Sequence, residues 1–230
     1  MINKLCADAQ AALSGIKDGA TIAVGGFGGA GMPDELIDAL IEQGARDLTL
    51  VSNNAGQGDS GLAALLKAGQ VRRILCSYPR MTGSHVFESL YRAGKIELEI
   101  VPQGNLAERL RAAGCGIAGF YTPTGFGTLL AEGKETRLID GRQCVLELPI
   151  HVDYALIKAQ TADRWGNLTF RKTARNFGPV MAMAATNTIA SIEQFCELGE
   201  LDPETVVTPG IYVKHLVLRK ASANLLNQAG

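Results

Sequence analysis

Short apolar runs alternate with amphipathic stretches through the first half of this chain. Residues 22–24, 48–52, 73–77 and 96–101, and further on 145–148, are short, apolar and rich in β-branched side chains. That is the pattern of strands buried on both faces. Between them, residues 34–43, 61–67, 84–92 and 106–112 carry helical periodicity, with stops expected at Gly44, Gly69, Gly94 and Gly114. The alternation predicts an α/β fold, a mostly parallel open sheet with helices on both faces. Residues 120–144 are richer in Gly, Thr and charge, and predict loops with short strands. From Tyr154 onward the pattern predicts a strand, a turn at Asp163-Arg-Trp-Gly-Asn167, a helix over 179–186 and a final strand over 212–218. No internal repeat, low-complexity tract or linker interrupts the chain, so one domain spanning 1–230 is expected.

The run at 22–24 stops at a burst of glycines, Gly25, Gly26, Gly28, Gly29 and Gly31, before Pro33 opens the first amphipathic stretch. Strand, glycine loop, helix is the reading. Glycine lacks a Cβ, so such a loop can adopt positive φ and bring backbone N–H groups close to a ligand. A helix N-terminus behind it favours negative charge. The loop is a candidate seat for a carboxylate, a developing oxyanion or a phosphate. Gly26-Phe-Gly-Gly-Ala-Gly31 also fits the dinucleotide pattern G-x-G-x-x-G. Two features oppose that fit. Pro33 sets the helix start beyond the last glycine, whereas the fingerprint's third glycine packs inside the helix. The next strand ends in Asn53-Asn54 rather than in the acid that holds a ribose. No Gly-Lys-Ser/Thr follows, which excludes a Walker phosphate loop. A tight turn without a ligand is the remaining competitor.

Bulk properties narrow the function further. The chain has 230 residues, of which 47% are hydrophobic, enough for a sizeable core. The net charge is -1 and no basic stripe appears, so no nucleic-acid partner is expected. Cys6, Cys76, Cys115, Cys144 and Cys196 are scattered, no C-x-x-C occurs, and His85, His151 and His215 are isolated. Neither a metal site nor a disulfide framework is expected. The N-terminus leads into a polar-apolar helical pattern rather than a signal peptide. No apolar run approaches the roughly twenty residues that span a bilayer. A reduced cytoplasmic protein without a membrane partner is the expectation.

In open α/β sheets, ligands bind beyond the carboxyl ends of the strands. The glycine loop follows the first predicted strand, Asn53 and Asn54 the second, residues 77–80 the third and Gln103 the fourth. Strand order alone therefore gathers four loops along one edge.

These residues also resemble a known family. Asp-Gly, two variable positions, three apolar residues, Gly-Gly-Phe, three variable, Gly, one variable, Pro is a signature of the coenzyme A transferases that act on 3-oxoacids. Asp18, Gly19, residues 22–24, Gly25, Gly26, Phe27, Gly31 and Pro33 fill its fixed positions. Val51-Ser-Asn-Asn-Ala-Gly56, Glu97-Leu-Glu-Ile-Val-Pro-Gln-Gly-Asn-Leu-Ala-Glu-Arg109, Thr122-Pro-Thr-Gly-Phe-Gly127, and Ala162-Asp-Arg-Trp-Gly-Asn-Leu-Thr-Phe-Arg171 with Thr173-Ala-Arg-Asn-Phe177 resemble the same family. The resemblance covers about residues 17–211 and is to the A subunit. It implies ping-pong transfer of CoA between carboxylic acids through an enzyme glutamyl-CoA thioester, the acyl-CoA being a substrate, so that no cofactor is expected. The family's nucleophile lies in a Glu-Asn-Gly motif on a B subunit. This chain has no Asn-Gly at all. It is expected to hold no catalytic nucleophile and to supply half of a site shared with that partner, for a small acyl-CoA and a 3-oxo acid. A paralogue that binds ligand but has lost catalysis fits the same sequence.

On that resemblance Gly25, Gly26, Phe27, Gly28, Gly29, Ala30 and Gly31 are candidates to hold CoA or the acyl carboxylate by backbone donors and close approach. Phe27 reads equally as a wall of the site or a core aromatic. Asn53 and Asn54 offer amide donors, or else an Asx turn closing a strand. Gln103 is a further donor, or an ordinary loop residue. Arg80 and Arg109 are candidates for a second carboxylate or for CoA phosphates, with surface arginines the plainer reading. Arg171, Arg175 and Asn176 read as staples of the second half. Trp165 is a candidate to face the partner, and Cys76 reads as a buried small hydrophobe. Glu147, in an apolar run, reads as a solvated or paired carboxylate rather than a nucleophile.

Overall fold

The computed structural model describes residues 2–219. In chain order its elements are α1 (Ala9–Leu13), β1 (Thr21–Val24), α2 (Asp34–Gln43), β2 (Leu48–Asn54), α3 (Leu62–Lys67), β3 (Val71–Tyr78), α4 (His85–Arg92), β4 (Glu97–Ile100) and α5 (Gln103–Cys115). There follow β5 (Phe120–Thr122), β6 (Thr136–Ile139), β7 (Arg142–Glu147), β8 (Val152–Asp163), β9 (Leu168–Thr169), α6 (Gly178–Ala184), β10 (Ala185–Cys196) and β11 (His215–Leu218). Short 3-10 turns, among them Lys172–Arg175, fill several connections.

The main sheet runs β11-β10-β8-β1-β2-β3-β4, with β9 paired antiparallel to β8. Its other pairings are all parallel. The strands alternate their side chains between two apolar layers, as period-2 geometry requires. Ile22, Val24, Leu50, Ile74 and Leu156 pack with Leu36, Leu40, Leu65 and Phe87 of α2, α3 and α4. Ala23, Val51, Leu75, Ala155 and Ile157 pack with Leu106, Leu110 and Met181 of α5 and α6. The expected α/β architecture is thus present. Strands β2, β3 and β4 extend from β1 on one side, and β8, β10 and β11 on the other. Strand order therefore reverses beside β1, at the position where such folds open a crevice.

Three expectations are corrected. The run at 145–148 belongs to β7, which pairs antiparallel with β5 and β6 in a separate three-stranded sheet. The cause is the Asp140-Gly141 turn, where both residues have positive φ (47° and 73°) and fold β6 back on β7 as a hairpin. Strand β10 was not expected. Its polar Thr188 and Ser191 are buried and satisfied, Thr188 Oγ1 donating to Ala182 O at 3.1 Å and Ser191 Oγ to Glu35. The fourth helix is longer than expected, and Gly114 lies inside α5. The stop is Gly116, left-handed at φ 69°.

Gly114 is a packing residue instead. A Cβ there would lie 2.5 Å from Met183 Cβ and 2.8 Å from the Met183 backbone. Gly104, on the same helix, has open space around the equivalent position. Gly114→Ala is expected to lower the unfolding free energy by about 1–3 kcal/mol through overpacking, despite alanine's better helix propensity. Gly104→Ala is expected to raise it by about 0.4–1 kcal/mol. Urea unfolding of the two variants checks the contrast.

Candidate active site

The glycine loop is a braced hairpin. Gly25 N–H continues the sheet by donating to Leu156 O at 2.9 Å, and Phe27 and Ala30 exchange backbone bonds of 3.0 and 3.1 Å. The turn between them is Gly28-Gly29, with Gly28 at φ 58°. Positive φ at the first central position is the type II′ arrangement that suits twisted strands. At Gly31 a Cβ would fall 2.4 Å from Ala174 O and 2.8 Å from Asn176 Nδ2, so only glycine lets the loop lie this close to the Lys172–Arg175 turn.

Accounting for the amides narrows the expectation that the whole stretch supplies donors. Gly25, Phe27 and Ala30 donate to backbone carbonyls, and Gly26 N–H donates to Asn176 Oδ1 at 3.1 Å. Among the described residues, the N–H groups of Gly28 and Gly29 in the turn, and of Gly31 beyond it, have no protein acceptor. The helix behind the loop differs from expectation too. Pro33 precedes α2 as its N-cap, and Asp34 and Glu35 fill the first turn. The Asp34 carboxyl is held above its usual range by burial, then by Asp38 and Glu35, against the pull of Lys158 and Arg219. The positive end of this helix already serves the chain's own carboxylates, which weakens its claim on an anionic ligand.

Asn53 and Asn54 are the last residues of β2, both buried. Asn54 Oδ1 accepts from Gly56 N–H at 2.9 Å, which is the Asx turn of the plainer reading. Asn53 Oδ1 accepts from Gln103 Nε2 and from Ser77 Oγ, each at 2.9 Å. Gln103 is the first residue of α5 rather than a loop residue. One amide oxygen thereby ties together the ends of β2, β3 and α5.

These groups surround a cleft of about 430 Å³. Asn53, Asn54, Ser77 and Gln103 supply its polar lining, and Phe27, Tyr78 and Met81 its apolar walls, with Gly28 at the rim. Phe27 is 51% exposed and Tyr78 58%, so Phe27 is not a core aromatic. A second cavity of about 310 Å³ shares Gly28, Asn54 and Met81 and continues over the 56–61 loop. The first, second, third and fourth strand ends do meet along one edge.

Other candidates lie elsewhere. Glu147 is 3% exposed and is held by Lys134 Nζ at 2.8 Å, Asn105 Nδ2 at 3.1 Å and Arg109 Nε at 3.7 Å. Arg109 also pairs with Glu99 at 3.1 Å and donates to Leu148 O at 2.7 Å. Both belong to the joint between α5 and the small sheet. Arg80 is exposed, 3.6 Å from Glu88. Cys76 is buried in β3, and burial pushes its thiol up to about 12. Trp165 is exposed in the turn after β8, which Asp163 closes by accepting from Trp165 and Asn167 N–H. Arg171 immediately precedes the Lys172–Arg175 turn, which Arg175 ends. Asn176 was expected only as a staple, yet it contacts the glycine loop directly. The signal was its place in the Thr-Ala-Arg-Asn-Phe motif. Among the described residues no cluster of three or more His, Cys, Asp or Glu is placed to hold a metal ion, and no helix is long and apolar enough to cross a membrane.

A parallel sheet whose order reverses beside a braced glycine hairpin defines an α/β protein with a cleft at its strand ends. A family model described as Coenzyme A transferase matches residues 6–219, and the chain belongs to that family. It is similar to the A subunit of the 3-oxoadipate CoA-transferase of Pseudomonas putida, 66% identical over 223 residues that cover 97% of this chain and 96% of that one. It is also similar to the A subunit of the succinyl-CoA:3-ketoacid coenzyme A transferase of Helicobacter pylori strain J99, 51% identical over 94% of this chain and 92% of that one. Among solved structures it resembles an acyl-CoA transferase of E. coli O157:H7 in thioester complex with CoA, with a TM-score of 0.82 and 26% identity over 95% of this chain. The chain spans only 47% of that structure's polypeptide.

The Glu147 environment yields a test. Removing the carboxylate leaves Lys134 and Arg109 facing each other across a vacated, buried position. Glu147→Ala is expected to destabilise the chain by about 3–5 kcal/mol in denaturant unfolding. A destabilisation below about 1 kcal/mol would show that the pairing is not what keeps a carboxylate there.

Proposed function

We propose that this chain is the A subunit of a two-subunit transferase that moves CoA from succinyl-CoA to 3-oxoadipate in the cytoplasm, with the attacking glutamate supplied by a Glu-Asn-Gly motif of the B subunit. The observation that carries the reading is the 66% identity over nearly the whole length to the A subunit of a 3-oxoadipate CoA-transferase. The site supports it. Its lining offers amides, a hydroxyl and two exposed aromatics, but among the described residues no carboxylate. That lining supports an attacking group supplied by a second polypeptide.

The partner's carboxylate attacks the thioester carbonyl of succinyl-CoA, and the electron pair of the carbonyl moves onto oxygen. In this reading the free N–H groups of Gly28 and Gly29 receive that oxyanion, as fixed donors do in a preorganised site. Collapse expels the CoA thiolate and leaves a glutamyl-succinyl anhydride. The thiolate returns to the glutamyl carbonyl, succinate departs, and the glutamyl-CoA thioester remains. The carboxylate of 3-oxoadipate then repeats the sequence in reverse. Asn53 and Gln103 orient the acyl group, and Phe27, Tyr78 and Met81 keep water from the thioester. No cofactor enters the scheme.

A second reading, transfer to acetoacetate, is favoured by the 51% identity to a succinyl-CoA:3-ketoacid transferase. The two acceptors differ by a distal carboxylate. Arg109 is committed to Glu99 and Glu147, whereas Arg80 sits beside the cleft-lining Tyr78 and Met81 and, among the described residues, makes one long ion pair. Arg80 is assigned to the distal carboxylate. Co-expression with a Glu-Asn-Gly partner is expected to give transfer from succinyl-CoA to 3-oxoadipate, and neither chain alone is expected to turn over. Activity from this chain by itself would sink the reading. Arg80→Leu is expected to raise the KM for 3-oxoadipate about tenfold, the equivalent of about 1.4 kcal/mol, and to leave acetoacetate turnover unchanged.

A further inference from the structure

We propose that Asn176 is a positioning residue, holding the Gly28-Gly29 turn in the geometry that presents its two free amides to the reacting carbonyl. The inference rests on the functional reading above.

Asn176 adopts φ 20° and ψ −117°, a backbone region that residues with side chains rarely enter. Such conformations persist only where the surroundings over-determine them. Here a single carboxamide does so. Its Oδ1 accepts from Gly26 N–H at 3.1 Å and from Phe177 N–H at 2.7 Å. Its Nδ2 donates to Ala30 O and Thr173 O, each at 3.0 Å, and to Ala174 O at 3.3 Å. Donors meet one end and acceptors the other, which assigns the amide orientation.

The two long-range bonds are the informative ones. Gly26 is 150 residues away in sequence and Ala30 is 146; Gly26 immediately precedes the Phe27–Ala30 pair on the inbound leg, and Ala30 is its outbound member. Asn176 thus grips both legs of the hairpin just below the turn. The turn has little else to hold it. Two backbone bonds close it, and no heavy atom lies within 4 Å of the Cβ positions at Gly28 or Gly29. An isolated two-stranded hairpin is marginally stable in water. Without the clamp, the donors that receive the oxyanion lose their fixed position. Misplacement of a reacting group by about 1 Å costs on the order of 10²-fold in rate.

The test uses Asn176→Gly and Asn176→Asp in complex with the Glu-Asn-Gly partner. Glycine accepts the backbone angles of position 176, so the Lys172–Arg175 turn is kept while the clamp is removed. Aspartate keeps the shape and the acceptor oxygen but loses the donor to Ala30. Both variants are expected to lower kcat, Asn176→Gly on the order of 10²-fold, with the KM for succinyl-CoA changed less than about 3-fold. Amide hydrogen exchange over residues 26–31 is expected to accelerate about tenfold or more in both. Unchanged exchange, or faster exchange with kcat within about twofold of the parent, would overturn the proposal. An inactive parent complex would sink the functional reading instead, and the exchange measurement would still decide whether Asn176 holds the loop.

Discussion

A backbone N–H can serve a transient charge only if the fold leaves it without an internal partner and still holds it in place. These demands conflict, because unpaired backbone is usually mobile backbone. The hairpin after β1 meets both by pairing the amides that flank the turn. Gly25 is tied to β8, Phe27 and Ala30 to each other, and Gly26 to Asn176, so that among the described residues Gly28 and Gly29 stand without an acceptor between these fixed legs. The open space around those two glycines and the close packing at Gly31 are two sides of one arrangement.

The sheet order explains why this hairpin can be braced from both halves of the chain. β1 lies between β2 and β8, so its carboxyl end borders elements built before and after the small sheet. From the first half come the ends of β2, β3 and α5, locked by the Asn53 oxygen that accepts from Ser77 and Gln103. From the second half comes the Lys172–Arg175 turn carrying Asn176. Buried polar groups are costly unless paired, and here the pairing fixes the relative heights of two strand ends and the start of α5. The cleft is therefore shaped by a polar network laid over an apolar sheet.

The first half was legible because its elements are local and strongly periodic. α2 begins and ends where its pattern does, at Asp34 and Gln43, with Gly44 as the left-handed stop. Misreadings arose where distant partners decide the outcome. β10 looks too polar for a central strand until Glu35 and Ala182 are seen to satisfy Ser191 and Thr188. Gly114 resembles a helix stop until Met183 is placed against it. β7 was misassigned although the Asp140-Gly141 signal was present, because a short apolar run does not itself say which sheet it joins. The glycine loop was legible as a turn between the first strand and the first long helix. Which of its amides are free was not, since that depends on Leu156 and Asn176, more than a hundred positions away.

The treatment of carboxylates in this fold bears on why a nucleophile would reside on another chain. Glu147 is buried and its oxygens are occupied by a lysine, an asparagine and an arginine. Such a group is too well solvated by the protein to attack. A carboxylate left unpaired inside the cleft would be nucleophilic but costly to the folded chain, because an uncompensated buried charge destabilises strongly. Delivering it across an interface separates the two requirements. Each polypeptide then folds without carrying the desolvated charge, and the carboxylate loses its water only when the thioester is already in place. On the proposed function, amides held still on one chain and a carboxylate brought by the other would form a site complete only when closed, which is the condition a thioester must meet to be transferred rather than hydrolysed.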